Sequence, residues 1–583
     1  MNHFKGIILS MSMLASIAGV QTAQAEYTLS FGSGKLPSDV VSQNPGTVPS
    51  SNGYKRGWTT TGWTVERFGD KGYVGLCPTY YEGDTETESC SSLMLPEVVV
   101  GENDYLIWES RAMYPARHET YRIDITEGMT EAFTTLGEYE DDGNWTTRML
   151  SLSEYAGKSV TITITCTSKG GYMLMLSSLM LGTPEKLNLV TTDLTTRFLS
   201  ADDIADGTAP VTLSVLNAGK TIDSGSLVCL VNLNDAASIA IDTPWATGET
   251  REVTFDLPAE VDKKIEYIVT YRDSEGNETD LAEDAIFPST FARTLMVDKL
   301  TGMWCTNCPT AVLEVEKMEK RFGKNVVFVE THTKGTSTDV LDNNDYFLNF
   351  NSYYVPCLML NRVSASKGSS SSYFKLYYDT PTEFLIKLTN VTAANSNTIS
   401  VAAEVTSAKD LDNSDGRYRI GYVVTSDFYV PGNRNYFQIN GCNSPKDEQF
   451  YYLPNPIYND LVEFHNASLT CKTAFDGMEG SIPDQLTAYQ PATYSWEISR
   501  PELLQDINDG KVVVFILDTQ TGEVQNAATA KVGEVSGVKD ILNDTITESH
   551  AKGIYNMQGI RLDVEPSQLP AGLYIIDGKK IVK

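Results

Sequence analysis

Cys305 and Cys308 form a Cys-x-x-Cys pair, the strongest chemical motif in this sequence of 583 residues. The pair lies in the segment Trp304-Cys305-Thr306-Asn307-Cys308-Pro309, at the start of a stretch with helical spacing. At a helix start, unpaired N–H groups and the helix dipole favour the Cys305 thiolate, and Cys308 follows closely enough to form a small disulfide. The pair could exchange disulfides with a substrate, or it could be an inert clip. The residues leave both hypotheses open.

No metal or other cofactor is expected at this pair. A zinc site needs four ligands, but the chain has no second Cys-x-x-Cys and no paired histidines among its five His. We interpret His332 and His465 as strand-end, surface or core residues rather than catalytic bases. No Ser-His-Asp arrangement stands out, so the sequence does not favour a protease.

The residues around the pair predict a strand–helix–strand unit. Residues 294–298 form a short apolar run, 309–322 have helical spacing, and 325–331 form a second continuous apolar run. This order is typical of a βαβ unit with parallel strands. A second helical stretch at 341–351 and a strand introduced by Pro356 are predicted beyond it.

This arrangement resembles the thioredoxin fold, whose active-site disulfide faces a cis-proline loop, matched here by Pro356. More narrowly, it looks like a family of thioredoxin-like outer-membrane proteins, surface antigens and lipoproteins, in which a β domain follows the thioredoxin-like part. The matching segments are 300–309, 330–332, Pro356 with 361–362, and, in the β domain, 417–532 with 464–466, 512–518 and 522–527. The resemblance implies thiol–disulfide exchange with protein substrates, in which Cys305 attacks, Cys308 resolves and Pro356 shapes the substrate groove.

Some residues near the pair depart from that family or extend its site. The dipeptide between the cysteines is Thr306-Asn307, neither the Gly-Pro of thioredoxins nor the Gly-Asn of the nearer family, so the redox potential stays open. Cys357 directly follows the proline and either forms an alternative disulfide or packs. Asp298 matches, one residue out of register, the buried acid that assists proton transfer in thioredoxins. Trp304 is the expected neighbour of the nucleophile.

Residues 26–184 contain many short runs of Thr, Tyr, Val and Ile between turn residues, a pattern typical of an antiparallel sandwich. The segments 105–110, 121–126 and 152–158, the last just before a strand at 160–166, resemble the jelly-roll modules of bacterial cleaved adhesins and galactose-binding-like domains. The resemblance implies a carbohydrate or protein ligand, with a spacer role as the alternative. Residues 185–290 have strand spacings that suit an immunoglobulin-like sandwich.

Both ends of the chain predict export. Residues 1–25 combine Lys5, an apolar stretch and the small-x-small site Ala23-Gln24-Ala25, as signal peptides do. Residues 553–561 and 569–583 resemble the C-terminal sorting domain of type IX secretion cargo, which implies recognition by that secretion machinery. No later run has the apolar length of a membrane helix. We therefore expect a protein that is secreted or associated with the outer membrane and cell surface.

Charge and cysteine number narrow the function classes. Lys and Arg number 45 against 76 Asp and Glu, a net charge of −31, and nucleic acid binding needs a concentrated basic face. Nucleic acid is therefore not expected as a partner. Nine cysteines leave at least one unpaired. The spacing suggests two structural disulfides, Cys77–Cys90 and Cys442–Cys471. Alternating or apolar runs around Cys166 and Cys229 indicate small core residues.

Together these patterns predict a multidomain, mainly β chain. The predicted domains are a signal peptide (1–25), a jelly-roll, cleaved-adhesin-like domain (26–184), an immunoglobulin-like domain (185–290), an α/β thioredoxin-like domain (291–383), a second β-sandwich (384–534) and a short β sorting domain (535–583). The leading hypothesis is an exported thioredoxin-like protein that exchanges disulfides with protein substrates. The alternative is a non-enzymatic surface adhesin or binding protein in which the thioredoxin-like domain is a scaffold.

Overall fold

The computed structural model describes residues 26–534 with short gaps, and four strands beyond them. The residues left out of that range are 45–61, 78–87, 116, 129, 131, 196–197, 205–206, 336–337, 351–353, 363, 368–380 and 459–460. The predicted signal peptide, residues 1–25, lies outside the described residues. The described part is multidomain and mainly β, with sandwich sheets, as the sequence predicts.

The N-terminal sandwich, residues 26–184, consists of two six-stranded antiparallel sheets. Its strands are β1 (Tyr27–Leu29), β2 (Val41–Gln43), β3 (Thr64–Phe68), β4 (Gly72–Cys77), β5 (Ser92–Met94), β6 (Val98–Val99), β7 (Tyr105–Ala112), β8 (Glu119–Glu127), β9 (Phe133–Asp141), β10 (Thr146–Ser151), β11 (Ser159–Cys166) and β12 (Leu174–Gly182). The first sheet has the order β10-β7-β12-β4-β3, with β1 beside β12. The second has the order β2-β5-β11-β8-β9, with β6 beside β11.

A period-two pattern explains why these runs form strands. In β11, Val160, Ile162 and Ile164 are buried between the sheets, whereas the threonines between them lie on the opposite face. Trp108 is also buried in this core, and its indole N–H donates to the Tyr121 hydroxyl at 2.9 Å. The buried ring therefore has a partner for its polar atom, as a stable core requires.

Residues 189–289 form a second sandwich of a three-stranded and a five-stranded sheet. Its strands are β13 (Leu189–Thr195), β14 (Phe198–Ser200), β15 (Thr208–Asn217), β16 (Ser226–Val231), β17 (Asn234–Ala240), β18 (Thr250–Pro258), β19 (Ile265–Arg272) and β20 (Glu278–Ser289). The sheet orders are β13-β15-β18 and β14-β20-β19-β16-β17. Trp245 and Cys229 are buried in the shared core, so the small core role predicted for Cys229 is confirmed.

The remaining described chain forms an eight-stranded sheet and smaller sheets that pack on it. Its elements are β21 (Leu295–Thr301), α1 (Cys308–Phe322), β22 (Val326–His332), α2 (Asn344–Phe347), β23 (Cys357–Leu360), β24 (Ser364–Lys367), β25 (Phe384–Asn395), β26 (Thr398–Ser407), β27 (Leu411–Asp412), β28 (Tyr418–Phe428), β29 (Phe437–Gln438), α3 (Gln449–Tyr452), β30 (Ile457–Tyr458), β31 (Phe464–Ser468), β32 (Gln485–Leu486), β33 (Ala492–Ser499), β34 (Lys511–Asp518) and β35 (Val524–Lys531). The eight-stranded sheet has the order β24-β23-β21-β22-β31-β28-β34-β35.

The predicted βαβ unit is confirmed, because β21 and β22 pair in parallel and α1 connects them. The helix predicted at 341–351 is wrong for most of its length, since only the four residues of α2 are helical. The preceding residues bond elsewhere: the Asp339 carboxylate accepts the Leu341 N–H, and the Asn343 N–H donates to the His332 carbonyl. These local bonds compete with the helical ones.

The eight-stranded sheet combines strands from the ranges 291–383 and 384–534, because β22 pairs with β31 at Glu330 and Ala467. One face of the β21–β23 part packs against α1, and the opposite face forms a core shared with β28, β34 and α2. A three-stranded sheet, β25-β26-β33, covers the far end. The two ranges therefore form one packed body.

An apolar junction core joins the N-terminal sandwich to this body. The outer face of the first sheet, α1 and the segment from 428 to 467 contribute Phe68, Val74, Leu76, Met173, Met175, Leu313, Phe450, Tyr452, Leu461 and Phe464. Two backbone contacts accompany it: the Tyr172 hydroxyl donates to the Tyr452 carbonyl at 3.0 Å, and the Gly69 N–H donates to the Pro445 carbonyl at 2.8 Å. The first sheet thus packs against the second sheet with one face and, over part of its area, against this junction core with the other.

Beyond residue 534, the structure describes four antiparallel strands of the predicted sorting domain. These are β36 (Ile554–Asn556), β37 (Arg561–Leu562), β38 (Leu573–Ile576) and β39 (Lys579–Val582), in the order β37-β36-β38-β39. Among the residues that the structure describes, no helix combines the length and apolar character needed to cross a membrane.

A buried charge cluster lies beside the junction core. The Arg111 guanidinium stands over the Phe68 ring at 4.9 Å and lies 3.8 Å from the Glu448 carboxylate. Both carboxylate oxygens of Glu316 on α1 accept from Gln449 Nε2 at 3.2 Å. Burial, with a smaller contribution from the charge of Glu448, raises the pKa of Glu316 to about 7, although the Gln449 hydrogen bonds oppose the rise.

We expect the substitution Glu316→Gln to stabilise the protein at pH 8 but not at pH 5. The folded state holds the Glu316 proton up to about pH 7, whereas the unfolded chain loses it near pH 4.5, so stability falls as the pH rises between these values. Relative to the wild type, the variant should gain up to about 3 kcal/mol at pH 8. Denaturant unfolding at both pH values measures this. Parallel pH profiles would contradict it, and Glu497→Gln on an exposed strand position is the control.

Candidate functional site

The Cys305–Cys308 disulfide is closed and lies at the N-terminal end of α1. The two Cα atoms are 5.4 Å apart, and the Cys305 N–H donates to the Gly302 carbonyl at 3.0 Å in the turn before the helix. Cys305 is 4% exposed and Cys308 is 1% exposed. A reactive nucleophilic cysteine is normally accessible to its substrate, so this degree of burial favours a structural role.

Asp339 holds the backbone in front of the disulfide. Its carboxylate accepts the Met303 N–H at 2.8 Å and the Leu341 N–H at 3.0 Å, and it lies 3.0 Å from His332 Nδ1. Burial works to raise the pKa of Asp339, but the His332 charge and these hydrogen bonds hold it below its ordinary value. His332 is itself 1% exposed, which places it in the core beside this carboxylate.

Trp304 fixes one side of the disulfide loop. Its indole N–H donates to the Thr333 carbonyl at 2.6 Å. The ring fits because two glycines flank it: a Cβ on Gly302 would lie 2.7 Å from the indole nitrogen, and a Cβ on Gly335 would overlap the ring. The half-buried indole is therefore held by close packing as well as by its hydrogen bond.

Residues 437–441, here called the cover segment, lie across the disulfide loop. The buried Gln438 side chain donates from Nε2 to the carbonyls of Cys305 at 2.9 Å and Met303 at 3.3 Å. The Ile439 N–H donates to the Met303 carbonyl and the Gly441 N–H to the Thr306 carbonyl, both at 2.8 Å. The cover segment thus occupies the carbonyls of Met303, Cys305 and Thr306 in the disulfide loop.

Pro356 lies at the same end of the sheet as the disulfide. The Val355–Pro356 peptide bond is cis, as the resemblance to thioredoxins implies. Strand β23 pairs with β21 so that Cys357 is opposite Leu300, and β21 then ends at Thr301, just before the disulfide loop. The structure therefore brings the proline and the cysteine pair to one edge.

Asp298 belongs to a different environment. It alternates with Val297, whose side chain packs under α1, so Asp298 lies on the opposite face of the sheet. Its carboxylate accepts from the Tyr346 hydroxyl at 2.6 Å and from Arg362 Nε at 3.3 Å. Burial raises the pKa of Asp298, while the Arg362 charge and the Tyr346 bond oppose that rise. This geometry makes Asp298 a structural acid in a buried polar cluster.

No second disulfide joins the cysteines in the part of the chain that the structure describes. Cys357 is 2% exposed and packs in the core on the Asp298 side of the sheet, which favours the packing alternative. The two pairs suggested by spacing, Cys77–Cys90 and Cys442–Cys471, are not joined. Cys166 is fully buried in the N-terminal sandwich, as expected for a small core residue.

The sequence did not single out a polar face on the second sheet of the N-terminal sandwich. On this outer face, Arg122 Nε donates to the Asp124 carboxylate at 2.8 Å, and the Thr135 hydroxyl donates to it at 2.7 Å. The Arg122 guanidinium stands 5.4 Å from the centre of the Phe133 ring, which is 54% exposed. Outward threonines of β11 adjoin them in register: Thr161, Thr163 and Thr165.

The sequence signal for this polar face is the alternation of polar and apolar residues along β8. Arg122 and Asp124 alternate with buried isoleucines in β8, so their shared direction could be read from the sequence. The position of Phe133 beside them could not be read from the sequence, because a β-bulge between Ile123 and Asp124 shifts the pairing of β8 with β9. Only the tertiary register shows that its ring lies beside the arginine.

No protein-family model matches this chain, and no curated protein matches it. Among solved structures, the K3 cleaved adhesin domain of Lys-gingipain from Porphyromonas gingivalis W83 is 12% identical, covering 27% of this chain and 98% of that domain, with a TM-score of 0.22. The carbohydrate-binding module TmCBM61, in complex with β-1,4-galactotriose, is 10% identical over 26% of this chain and 92% of its own, with a TM-score of 0.19.

A further carbohydrate-binding module, CBM29-2 of family 29, is 11% identical over 27% of this chain and 93% of its own, with a TM-score of 0.19. The solved structures that resemble this chain therefore include adhesin and carbohydrate-binding β domains. At these identities and TM-scores, the likeness carries no argument about a ligand.

We expect Gln438→Ala to expose the disulfide to reductants. Removing the amide takes away its hydrogen bonds to the Cys305 and Met303 carbonyls, which should weaken the closed cover segment by about 1–2 kcal/mol. The rate of disulfide reduction by dithiothreitol should then rise about tenfold or more. Alkylation of released Cys305 and Cys308, followed by mass spectrometry, measures this rate. Gln490→Ala, at an exposed position, should leave it unchanged.

Proposed function

We propose that this chain is an exported, non-enzymatic binding protein. In this account, the N-terminal sandwich presents the ligand surface, and residues 291–534 are a thioredoxin-like scaffold held shut by the Cys305–Cys308 disulfide. The observation that carries the proposal is the cover segment, which donates hydrogen bonds to three carbonyls of the disulfide loop, those of Met303, Cys305 and Thr306. The strand order β24-β23-β21-β22, α1 and the cis-proline support the thioredoxin-like assignment.

The cover segment makes disulfide exchange slow in the folded state. A substrate thiolate must approach a sulfur atom directly, but Cys305 and Cys308 are nearly buried. Access requires loss of the bonds from Gln438, Ile439 and Gly441, which contribute about 1 kcal/mol each. The same segment continues into the junction core, so opening it would also disturb apolar packing.

The outer face suits a carbohydrate ligand. Sugar hydroxyls both donate and accept hydrogen bonds, and the face offers the Arg122 guanidinium and threonine hydroxyls. The buried Asp124 carboxylate orients the guanidinium. Phe133 adds an exposed ring against which the C–H surface of a sugar can pack. The net charge of −31 disfavours polyanionic ligands, so we propose a neutral oligosaccharide.

Export to the cell surface or beyond is part of the proposal. It rests on the signal-peptide pattern of residues 1–25 and on the resemblance of the C-terminal segment to type IX sorting domains. The four terminal strands form a small antiparallel sheet, which suits a compact sorting module recognised by secretion machinery.

Thiol–disulfide exchange with protein substrates is the second candidate. The placement of Cys305 and Cys308 at a helix N-terminus, at the same sheet edge as the cis-proline, favours it. In that account, Cys305 attacks after the cover segment moves away, Cys308 resolves the mixed disulfide, and Trp304 and Pro356 line the exposed groove.

We expect the full chain to bind neutral oligosaccharides on a glycan array. The variants Phe133→Ala and Arg122→Ala should each weaken binding at least tenfold, because each removes part of the polar and aromatic surface. Calorimetry with the best array ligand measures the loss. Leu233→Ala, which alters a side chain 80% exposed in the second sandwich, should bind as the wild type does. Equal affinity of all variants, or no glycan binding, would rule out this surface.

We expect Cys305→Ser to leave ligand binding unchanged. With dithiothreitol as the reductant, the wild-type chain should not reduce insulin disulfides faster than dithiothreitol does alone, because the Cys305–Cys308 pair is nearly buried. An insulin turbidity assay on both proteins tests this. Catalysis by the wild type that disappears in Cys305→Ser would establish the second candidate instead.

A further inference from the structure

Cys77 and Cys166 face each other inside the N-terminal sandwich. Cys77 ends β4 in the first sheet, and Cys166 ends β11 in the second. Both are fully buried in the same core cluster. Burial raises the pKa of the Cys77 thiol well above its ordinary value, and a hydrogen bond with the Cys166 thiol adds to this rise. The two thiols therefore enter one buried core from opposite sheets.

The strand register separates Cys90 from this pair. The Cys166 N–H donates to the Ser91 carbonyl at 2.9 Å, and the Ser89 N–H donates to the Ser168 carbonyl at 3.0 Å. Ser89 and Ser91 are buried, whereas Cys90 is partly exposed and its thiol contacts the Glu88 carboxylate at 3.6 Å. Spacing alone suggests Cys90 as the partner of Cys77, but the inward-facing cysteine is Cys166.

A buried carboxylate adjoins the Cys166 thiol. Glu119 is fully buried, and its Oε2 lies 4.0 Å from Cys166 Sγ. The site has no room for a side chain at Gly171, because a Cβ there would overlap the Glu119 carboxylate. Glu119 is thus fixed beside the Cys166 thiol in the folded state.

We propose that Cys77 and Cys166 form a disulfide that joins the two sheets of the N-terminal sandwich in the mature protein. Each thiol is too buried to be oxidised in the finished fold, so the bond forms while the sandwich closes. It spans roughly 90 residues of chain, a separation at which a cross-link strongly restricts the unfolded state. This inference goes beyond the proposed function and depends on it only for an oxidising compartment.

The reaction needs an oxidant, which is the disulfide of an oxidised dithiol, either a protein or glutathione disulfide. While the sandwich is still open, the Cys166 thiol loses its proton to solvent, and the thiolate attacks the oxidant disulfide to form a mixed disulfide and release one oxidant thiolate. Cys77, as a thiolate, then attacks the Cys166 sulfur and releases the second oxidant thiol. Two protein thiols are oxidised, one oxidant disulfide is reduced, and two protons pass to the released thiolates.

The test is disulfide mapping of the full chain after refolding in a mixture of reduced and oxidised glutathione. Free thiols are alkylated in denaturant without reduction, and the digested peptides are identified by mass spectrometry. We expect a Cys77–Cys166 cross-linked peptide. Of the nine cysteines, four would then lie in two disulfides, leaving five alkylated thiols. Alkylation of both Cys77 and Cys166, or a Cys77–Cys90 peptide, would overturn the proposal.

Two substitutions keep the outcome unambiguous. Cys90→Ser should leave the Cys77–Cys166 peptide intact, because the Cys90 thiol is partly exposed and contacts the Glu88 carboxylate. Cys166→Ser should leave Cys77 alkylated. The alkylated Cys77 peptide can be detected by mass spectrometry even if the variant folds poorly. Since refolding takes place in glutathione buffer, the result does not depend on export or on glycan binding, so it can fail separately from the proposed function.

Discussion

The pairing of β22 with β31 is the contact on which the rest of the structure depends. It joins the βαβ unit that carries the cysteine pair to the strands of the following β domain, making one continuous sheet. Because β31 comes directly after the segment from 429 to 463, this pairing also brings that segment over the disulfide loop and against the N-terminal sandwich. This one pairing therefore connects the Cys305–Cys308 pair, the cover segment and the junction core.

Much of this could be predicted from the sequence. The apolar runs before and after α1, and the cysteines at its start, gave the parallel strand–helix–strand unit because periodicity reports which face is buried. The short helix α2 could not be predicted over its true length, since local bonds from Asp339 and Asn343 overrule the helical pattern. The cover segment could not be predicted at all, because its contacts join residues more than 130 positions apart.

The pairing of the cysteines could not be predicted from the sequence either. Spacing suggests that neighbours such as Cys77 and Cys90 pair, but pairing depends on which sheet face each thiol occupies, and that follows from tertiary register. Similarly, Asp298 reads as an assisting acid by position, yet strand alternation turns it away from α1 toward Tyr346 and Arg362. In each case the residue type was visible in the sequence and its partner was not.

The account rests on a cover segment that stays closed in the native state. Amide hydrogen exchange at Ile439 and Gly441 tests this most directly, because their N–H groups donate to the Met303 and Thr306 carbonyls. The account predicts protection approaching that of Val513 in the centre of β34, with exchange only on large-scale unfolding. Exchange of both amides at nearly unprotected rates, while Val513 remains protected, would show that the disulfide is readily uncovered and would contradict the scaffold role.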